Sequence, residues 1–220
     1  MTIVRSIEQE LKKIGYPEQC VRTVDIRRIS AKTFRSLDNK GISNVLALCE
    51  ELLITRDWAY GVIAYDWAFR VKKQYTPETY VVFENWLLEY VNGWGDCDDF
   101  CTHAFGELLR QYNELSEKTL SWVKHDHFAV QRAAAVILIY PIKKDAYSGL
   151  NPYLVAKLLF KNEHQLVQKG YGWLLKELSK KEPQQVIEYL RDNHKVIPRT
   201  AFRYALGNLD RCTKDALMSL

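Results

Sequence analysis

The sequence predicts an all-α protein built as an α-solenoid, in which antiparallel helix pairs stack beside one another around a concave basic groove. Three observations predict it. Apolar residues recur at helical spacing in long windows, with few strand-like alternations. Glycine and proline are sparse, at 10 and 6 of 220 residues, and fall between those windows. Similar segments also repeat every 30–40 residues or so, which is typical of helical repeat proteins.

The apolar windows predict twelve helices joined by short connections within a single domain over residues 1–220. Four prolines (Pro77, Pro152, Pro183 and Pro198) stand where a new helix begins, the position that proline tolerates best. The expected ranges are 3–14, 23–36, 41–54, 57–73, 77–91, 95–112, 117–124, 127–141, 151–161, 163–180, 183–193 and 198–207.

Internal similarity is clearest in the second half. VQRAAAVIL at 130–138 aligns with VQKGYGWLL at 167–175, an offset of 37, and IPRTAFRYAL at 197–206 follows the same pattern. The aligned cations are Arg132, Lys169 and Arg199. Equivalent positions of stacked repeats lie in a row, so these three are predicted to contact a phosphate backbone. A plain helical bundle is the alternative architecture.

Charge and composition limit the kinds of protein and of partner that the sequence is compatible with. Residues 1–117 hold 14 Lys/Arg and 18 Asp/Glu, whereas residues 118–220 hold 17 and 9. This asymmetry suggests a polyanionic partner bound mainly by the second half, and an ordinary solvated helical surface is the alternative that charge alone leaves open. No apolar run is long enough for a membrane span, and the charged start is not a secretory signal. Five scattered cysteines argue against a disulfide scaffold and favour a reducing compartment, so we expect a cytoplasmic protein.

Residues 93–101 read GWGDCDDFC, and their chemistry depends on which face of a helix each side chain occupies. Cys97 and Cys101 fall on the apolar face and read as small buried hydrophobes, so no metal site is expected. Asp99 is predicted to face solvent, and Asp96 to lie at the helix N-terminus. Asp98 lies at the edge of the apolar face, one turn after Trp94, which suits either a functional carboxylate or a structural ion pair.

Two further residues stand out for their surroundings. Arg132 lies in a helix that is apolar on nearly every side, so it needs either a buried acid, with Asp98 the obvious candidate, or a ligand phosphate. Trp173 falls on the flank of its helix's apolar face, one turn after Lys169. That placement fits either a nucleic-acid contact or packing against a neighbouring helix.

Four stretches together resemble the AlkD-like family of DNA alkylation-repair glycosylases, which is built from HEAT-like repeats. They are VRTVDIRRISAK (21–32), WGDCDDFC (94–101), FAVQRAAAVILIY (128–140) and QKGYGWLLKELSKKEPQQVIEYL (168–190), in the family's order over nearly the whole chain. The chain departs from the family pattern at Gly95, where an Asp is common, and at Val24, where a Pro is common.

The resemblance implies a monofunctional glycosylase that hydrolyses the N-glycosidic bond of N3-methyladenine and N7-methylguanine in double-stranded DNA. It implies that Asp98 is the catalytic carboxylate, with a one-residue ambiguity to Asp99. It further implies that Trp94 and Trp173 flank the deoxyribose and that Arg132 holds a backbone phosphate. No cofactor, metal or membrane is implied, and we expect a nucleoid-associated monomer.

Two other functions are compatible with the sequence. One is a catalytically silent protein of the same family that binds DNA structures. The other is a protein-interaction solenoid, which a net charge of only +4 permits.

Overall fold

A computed structural model describes residues 3–220, which form α-helices and four short 3-10 helices and contain no strand. The all-α prediction is therefore confirmed for this part of the chain. The α-helices are α1 (Ile3–Lys13), α2 (Thr23–Arg35), α3 (Ile42–Leu53), α4 (Trp58–Arg70), α5 (Thr79–Tyr90), α6 (Trp94–Cys101), α7 (Ala104–Gln111), α8 (Ser116–Thr119), α9 (Phe128–Val136), α10 (Ile139–Lys143), α11 (Pro152–Leu158), α12 (Gln165–Leu178), α13 (Pro183–Asn193), α14 (Arg199–Ala205) and α15 (Arg211–Met218). The 3-10 helices are Lys72–Gln74, Asn113–Leu115, Leu120–Lys124 and Leu206–Asn208.

The chain divides into two compact units, Met1–Tyr90 and Val91–Leu220. In the first unit, α4 packs against both α2 and α3, and most of its residues are buried. Asp57 caps α4 by accepting hydrogen bonds from the backbone N–H groups of Ala59 (2.8 Å) and Tyr60 (3.3 Å). Large aromatic side chains, among them Trp67 and Trp86, fill this core.

In the second unit, α6, α9, α12 and α14 are neighbours in that order. α9 contacts α6 and α12, and α12 contacts α14. The three similar segments of the sequence lie in α9, α12 and α14, so the internal repeat corresponds to successive helices of one layer. This layer carries the candidate site described below.

The predicted helix 95–112 is wrong as a single element, because the structure breaks it at Thr102–His103. His103 leaves the helical region (φ −131°, ψ −95°), and its backbone N–H donates to the carbonyl of Phe100 (3.4 Å). Its ring Nδ1 lies 2.9 Å from the carbonyl of Asp99, the acceptor that a continuing helix would use. The chain then turns so tightly that a Cβ at Gly106 would lie 2.3 Å from the Cys101 carbonyl oxygen.

Other boundaries also differ from the prediction. Segment 117–124 is the short α8 followed by a 3-10 helix, and segment 127–141 is two helices, α9 and α10. Pro141 lies within α10 and has no N–H to donate, which is consistent with the interruption before it. α15 was not predicted, although Asp210 caps it by accepting from the Thr213 backbone N–H at 3.0 Å. Pro152 and Pro183 begin α11 and α13, as expected.

Candidate functional site

A cleft of about 280 Å³ opens on the layer formed by α6, α9, α12 and α14. Each helix of the layer contributes to its walls, and five of the predicted site residues meet there. The lining residues are Trp94 and Asp98 from α6, Arg132 from α9, Leu166, Lys169 and Trp173 from α12, and Tyr204 from α14.

Asp98 and Arg132, which both line this cleft, form a two-point ion pair. Arg132 Nε donates to Asp98 Oδ1 at 2.7 Å, and Nη2 donates to Oδ2 at 2.9 Å. The Asp98 side chain is 19% exposed and the Arg132 side chain 6%. Of the two partners that the sequence left open for Arg132, the structure therefore shows the buried acid. Such a parallel pair fixes the plane of the carboxylate as well as its position.

The surroundings of Arg132 are built to hold its charge. Nη1 donates to the backbone carbonyl of Leu166. Burial opposes the charged form, but the hydrogen bonds and negative charge of Asp98 outweigh it, so the pKa of Arg132 lies above its ordinary value. Gly170 provides space for the side chain, since a Cβ there would lie 3.1 Å from Arg132 Cγ. Arg132 is therefore a fixed, permanently charged support for Asp98.

The indole of Trp173 is held from outside the cleft. Its Nε1–H donates to Oε1 of Glu177, one turn later on α12, at 3.2 Å. Glu177 is buried and also accepts from Lys180 Nζ at 2.8 Å. Lys143 Nζ lies 5.3 Å from the centroid of the Trp173 ring, and Lys143 does not line the cleft. One side of the indole is thus occupied by a cation while the ring still forms part of the cleft wall.

The remaining predicted residues differ in their access to the cleft. Trp94 begins α6 and is 56% exposed, so its ring is available at the cleft edge. Lys169 lines the cleft, and within residues 3–220 no acid lies within ion-pair distance of it. Arg199 is exposed and does not line the cleft, and its guanidinium donates to the Met218 carbonyl at 3.1 Å. The three aligned cations therefore occupy three different environments.

The prediction that Asp99 faces solvent is wrong. Its side chain is 14% exposed and lies 3.3 Å from His103 Nδ1, because the break after α6 folds His103 back over it. Asp96 is also half-buried, and burial raises its pKa although the backbone N–H groups of Gly93 and Asn92 oppose that rise. All three acids of the motif are thus partly buried, but only Asp98 lines the cleft. Cys97 and Cys101 are fully buried, as predicted.

Sequence reasoning missed Tyr204, which is 41% exposed and lines the cleft from α14. A signal for it was present in the sequence: Tyr204 lies within the third similar segment, whose helix packs directly against the helix of Trp173. Glu177 was also missed as the partner of Trp173, although the i, i+4 spacing on one helix allows that contact.

The described residues offer no metal site and no membrane-crossing helix. Among residues 3–220, no group of three or more His, Cys, Asp or Glu side chains could hold a metal ion. No helix in the same range is both long enough and apolar enough to cross a membrane.

The chain is similar to known proteins in both sequence and fold. The family model described as DNA alkylation repair enzyme matches residues 12–209. No curated protein matches the sequence. Among solved structures, the chain is similar to one described as a predicted DNA alkylation repair enzyme from Enterococcus faecalis, with 18% identity, 87% of each chain covered and a TM-score of 0.69. At that identity the likeness shows a shared all-α, solenoid-like fold.

Proposed function

Because the chain belongs to the DNA alkylation repair enzyme family, for which the matching model covers residues 12–209, we propose that it is a DNA glycosylase. Its substrates are N-alkylated purines in duplex DNA, such as N3-methyladenine and N7-methylguanine. The observation that carries the proposal is the meeting of Trp94, Asp98, Arg132 and Trp173 around one open cleft. These residues come from three different helices, and their meeting does not depend on the family match.

The proposed reaction replaces the N-glycosidic bond with a bond from C1′ to water. Alkylation gives the purine a positive charge, so the base departs with the bonding electrons as a neutral molecule and needs little acid assistance. The sugar passes through an oxocarbenium-like state, and the water that adds to C1′ loses a proton. A fixed carboxylate stabilises that cation and orients the water.

Asp98 is the acid that lines the cleft, which supports its assignment as this carboxylate. An ionised carboxylate offers about four acceptor positions, of which the Arg132 pair takes two, so acceptors remain for the cleft. Arg132 keeps Asp98 oriented, and the rings of Trp94 and Trp173 provide electron-rich faces toward a cationic sugar. Lys169, which has no acid partner among the described residues 3–220, is the cation at the cleft best placed to contact a backbone phosphate.

The test is release of 7-methylguanine and 3-methyladenine from methylated duplex DNA by the purified protein. We expect Asp98→Asn to reduce release about a hundredfold or more, because it removes the negative charge from the cleft. Asp99→Asn is the matched control, since Asp99 belongs to the same helix but does not line the cleft. Unchanged release by the Asp98 variant would rule out the assigned role.

A second candidate is a DNA-structure-binding member of the family without catalytic activity. The observation that favours it is that both oxygens of Asp98 already accept hydrogen bonds from Arg132. Binding to abasic or branched DNA, without base release from any alkylated substrate, would support it. DNA binding that weakens steeply with salt would separate both DNA-binding candidates from a protein-interaction solenoid, because phosphate contacts release counterions.

A further inference from the structure

The cleft has a third aromatic wall opposite the helix that carries Trp94. Tyr204 projects from α14, lines the cleft and is 41% exposed, so part of its ring is open to a ligand. Within residues 3–220, its hydroxyl makes no hydrogen bond, and the only cation–π or aromatic contact of its ring is with Lys176. A half-exposed ring at the edge of a cleft, with its polar atom unoccupied, resembles a contact surface more than a packing element.

The packing of α12 against α14 holds Tyr204 in this position. A Cβ at Gly172 would lie 2.7 Å from the Ala201 carbonyl oxygen and 2.8 Å from Tyr204 Cβ. Any side chain at residue 172 would therefore push α14 outward and carry Tyr204 away from the cleft. Glycine at this position allows the close approach that brings the ring to the cleft wall.

Lys176 completes the support on the far side of the ring. Its Nζ lies 5.8 Å from the Tyr204 ring centroid, and Lys176 is not part of the cleft lining. Its stem packs close to Gly207, where a Cβ would lie 2.7 Å from Lys176 Cε. The arrangement parallels that of Trp173, whose ring has Lys143 on one side while forming part of the cleft wall.

We propose that Tyr204 contacts the lesion nucleotide and that its ring forms the third aromatic wall of the substrate cleft. This inference rests on the proposed glycosylase function and adds a substrate-contacting residue to it. The aromatic face packs against the sugar or base of the nucleotide, as rings do in proteins that hold unstacked nucleotides. Gly172 acts as a positioning residue, since it contacts the substrate only through Tyr204.

The experiment compares wild type, Tyr204→Ala and Tyr204→Phe in two assays. One is kcat/KM for release of 7-methylguanine, and the other is affinity for duplex DNA that contains a stable abasic-site analogue. Removing one base-stacking ring lowers affinity by about tenfold or more. We therefore expect the alanine variant to lose about tenfold in both assays, and the phenylalanine variant to stay within about threefold of wild type.

Gly172→Ala provides an independent variant that leaves the tyrosine in place. It should lower activity by displacing Tyr204, and combining it with Tyr204→Ala should cause little further loss of activity. Gly61→Ala is the matched control, because a Cβ there meets only Tyr65 at 3.9 Å and Gly61 lies in α4 of the first unit. Thermal unfolding of each variant separates loss of fold from loss of contact.

The outcomes distinguish this inference from the proposed function. Wild-type protein that releases no base contradicts the glycosylase assignment itself. If wild type is active and Tyr204→Ala stays within twofold of it in both assays, Tyr204 does not contact the substrate and the inference is wrong. A phenylalanine variant as weak as the alanine variant would also overturn the inference, since the hydroxyl and not the ring would then make the contact.

Discussion

Removing the charge of Asp98 should destabilise the protein as well as inactivate it. The Arg132 side chain is 6% exposed, and Asp98 supplies two of its hydrogen bonds at 2.7 and 2.9 Å. Loss of one partner from a buried ion pair costs about 3–5 kcal/mol, because the other charge stays buried without compensation. The cost should be smaller here, because the Asp98 side chain is 19% exposed to water and asparagine retains one acceptor oxygen for Arg132. We therefore expect Asp98→Asn to lower the free energy of unfolding by about 2–3 kcal/mol.

Urea denaturation followed by tryptophan fluorescence measures this loss. With a slope of about 2 kcal/mol/M, the midpoint should fall by about 1–1.5 M. Asp145→Asn is the control, because it makes the same substitution in an ion pair whose acid is 68% exposed. Its midpoint should hardly change, since exposed pairs contribute little and asparagine suits the left-handed backbone of residue 145 (φ 55°).

A double-mutant cycle tests whether the loss comes from an uncompensated Arg132. Replacing the guanidinium with an apolar chain in Arg132→Met removes the charge that Asp98→Asn leaves buried. The double variant should therefore be more stable than the sum of the two single losses predicts, by about 1 kcal/mol or more. Additive losses, within about 0.5 kcal/mol, would refute the idea that the pair acts as a unit.

Three further predictions concern Gly170, Lys169 and Glu107. Gly170→Ala should reduce base release several-fold while the protein stays folded, because a Cβ there would lie 3.1 Å from Arg132 Cγ and displace that side chain. Base release and melting temperature are measured on the same variant, and full activity would contradict the prediction. Lys169→Ala should reduce the slope of log K against log salt for DNA binding by about 0.9, the value for one lost phosphate contact; an unchanged slope would exclude such a contact. Burial raises the pKa of Glu107, but hydrogen bonds from Arg110 and Gln111 outweigh it, so the pKa is lower in the folded state than in the unfolded chain. The stability that results should be lost as pH falls from about 5 to 3. In Glu107→Gln, the unfolding free energy should be lower at pH 7 and fall less over that range, and an equally steep fall would refute the assignment.

Local sequence signals predicted most of the helices, because each depends on residues near one another in the chain. Proline at the first position marked α11 and α13, and helical spacing marked the buried faces. The break after α6 could not be predicted in this way. It depends on the contact of the His103 ring with the Asp99 carbonyl oxygen and on the close approach of Gly106 to Tyr140. The second of these is a tertiary contact.

The candidate site was predictable to the extent that it depends on helix faces. Spacing placed Asp98 one turn after Trp94, and the apolar setting of Arg132 required a partner. The same reasoning failed for Asp99, since a straight helix would have left its side chain in water. Tyr204 was missed because its importance arises from the contact between α12 and α14, which a single helical wheel does not contain.

Gly170 and Gly172 make α12 the helix that determines the spacing on both sides of the cleft. Gly170 lies against a side chain of α9, and Gly172, two residues later, lies against the backbone and a side chain of α14. Mutational tolerance should therefore be distributed unevenly over the layer. Libraries that randomise exposed positions of α13, such as Gln185 and Glu188, should retain many active clones, whereas almost any enlargement at 170 or 172 should alter the width of the cavity and hence the range of adducts it admits.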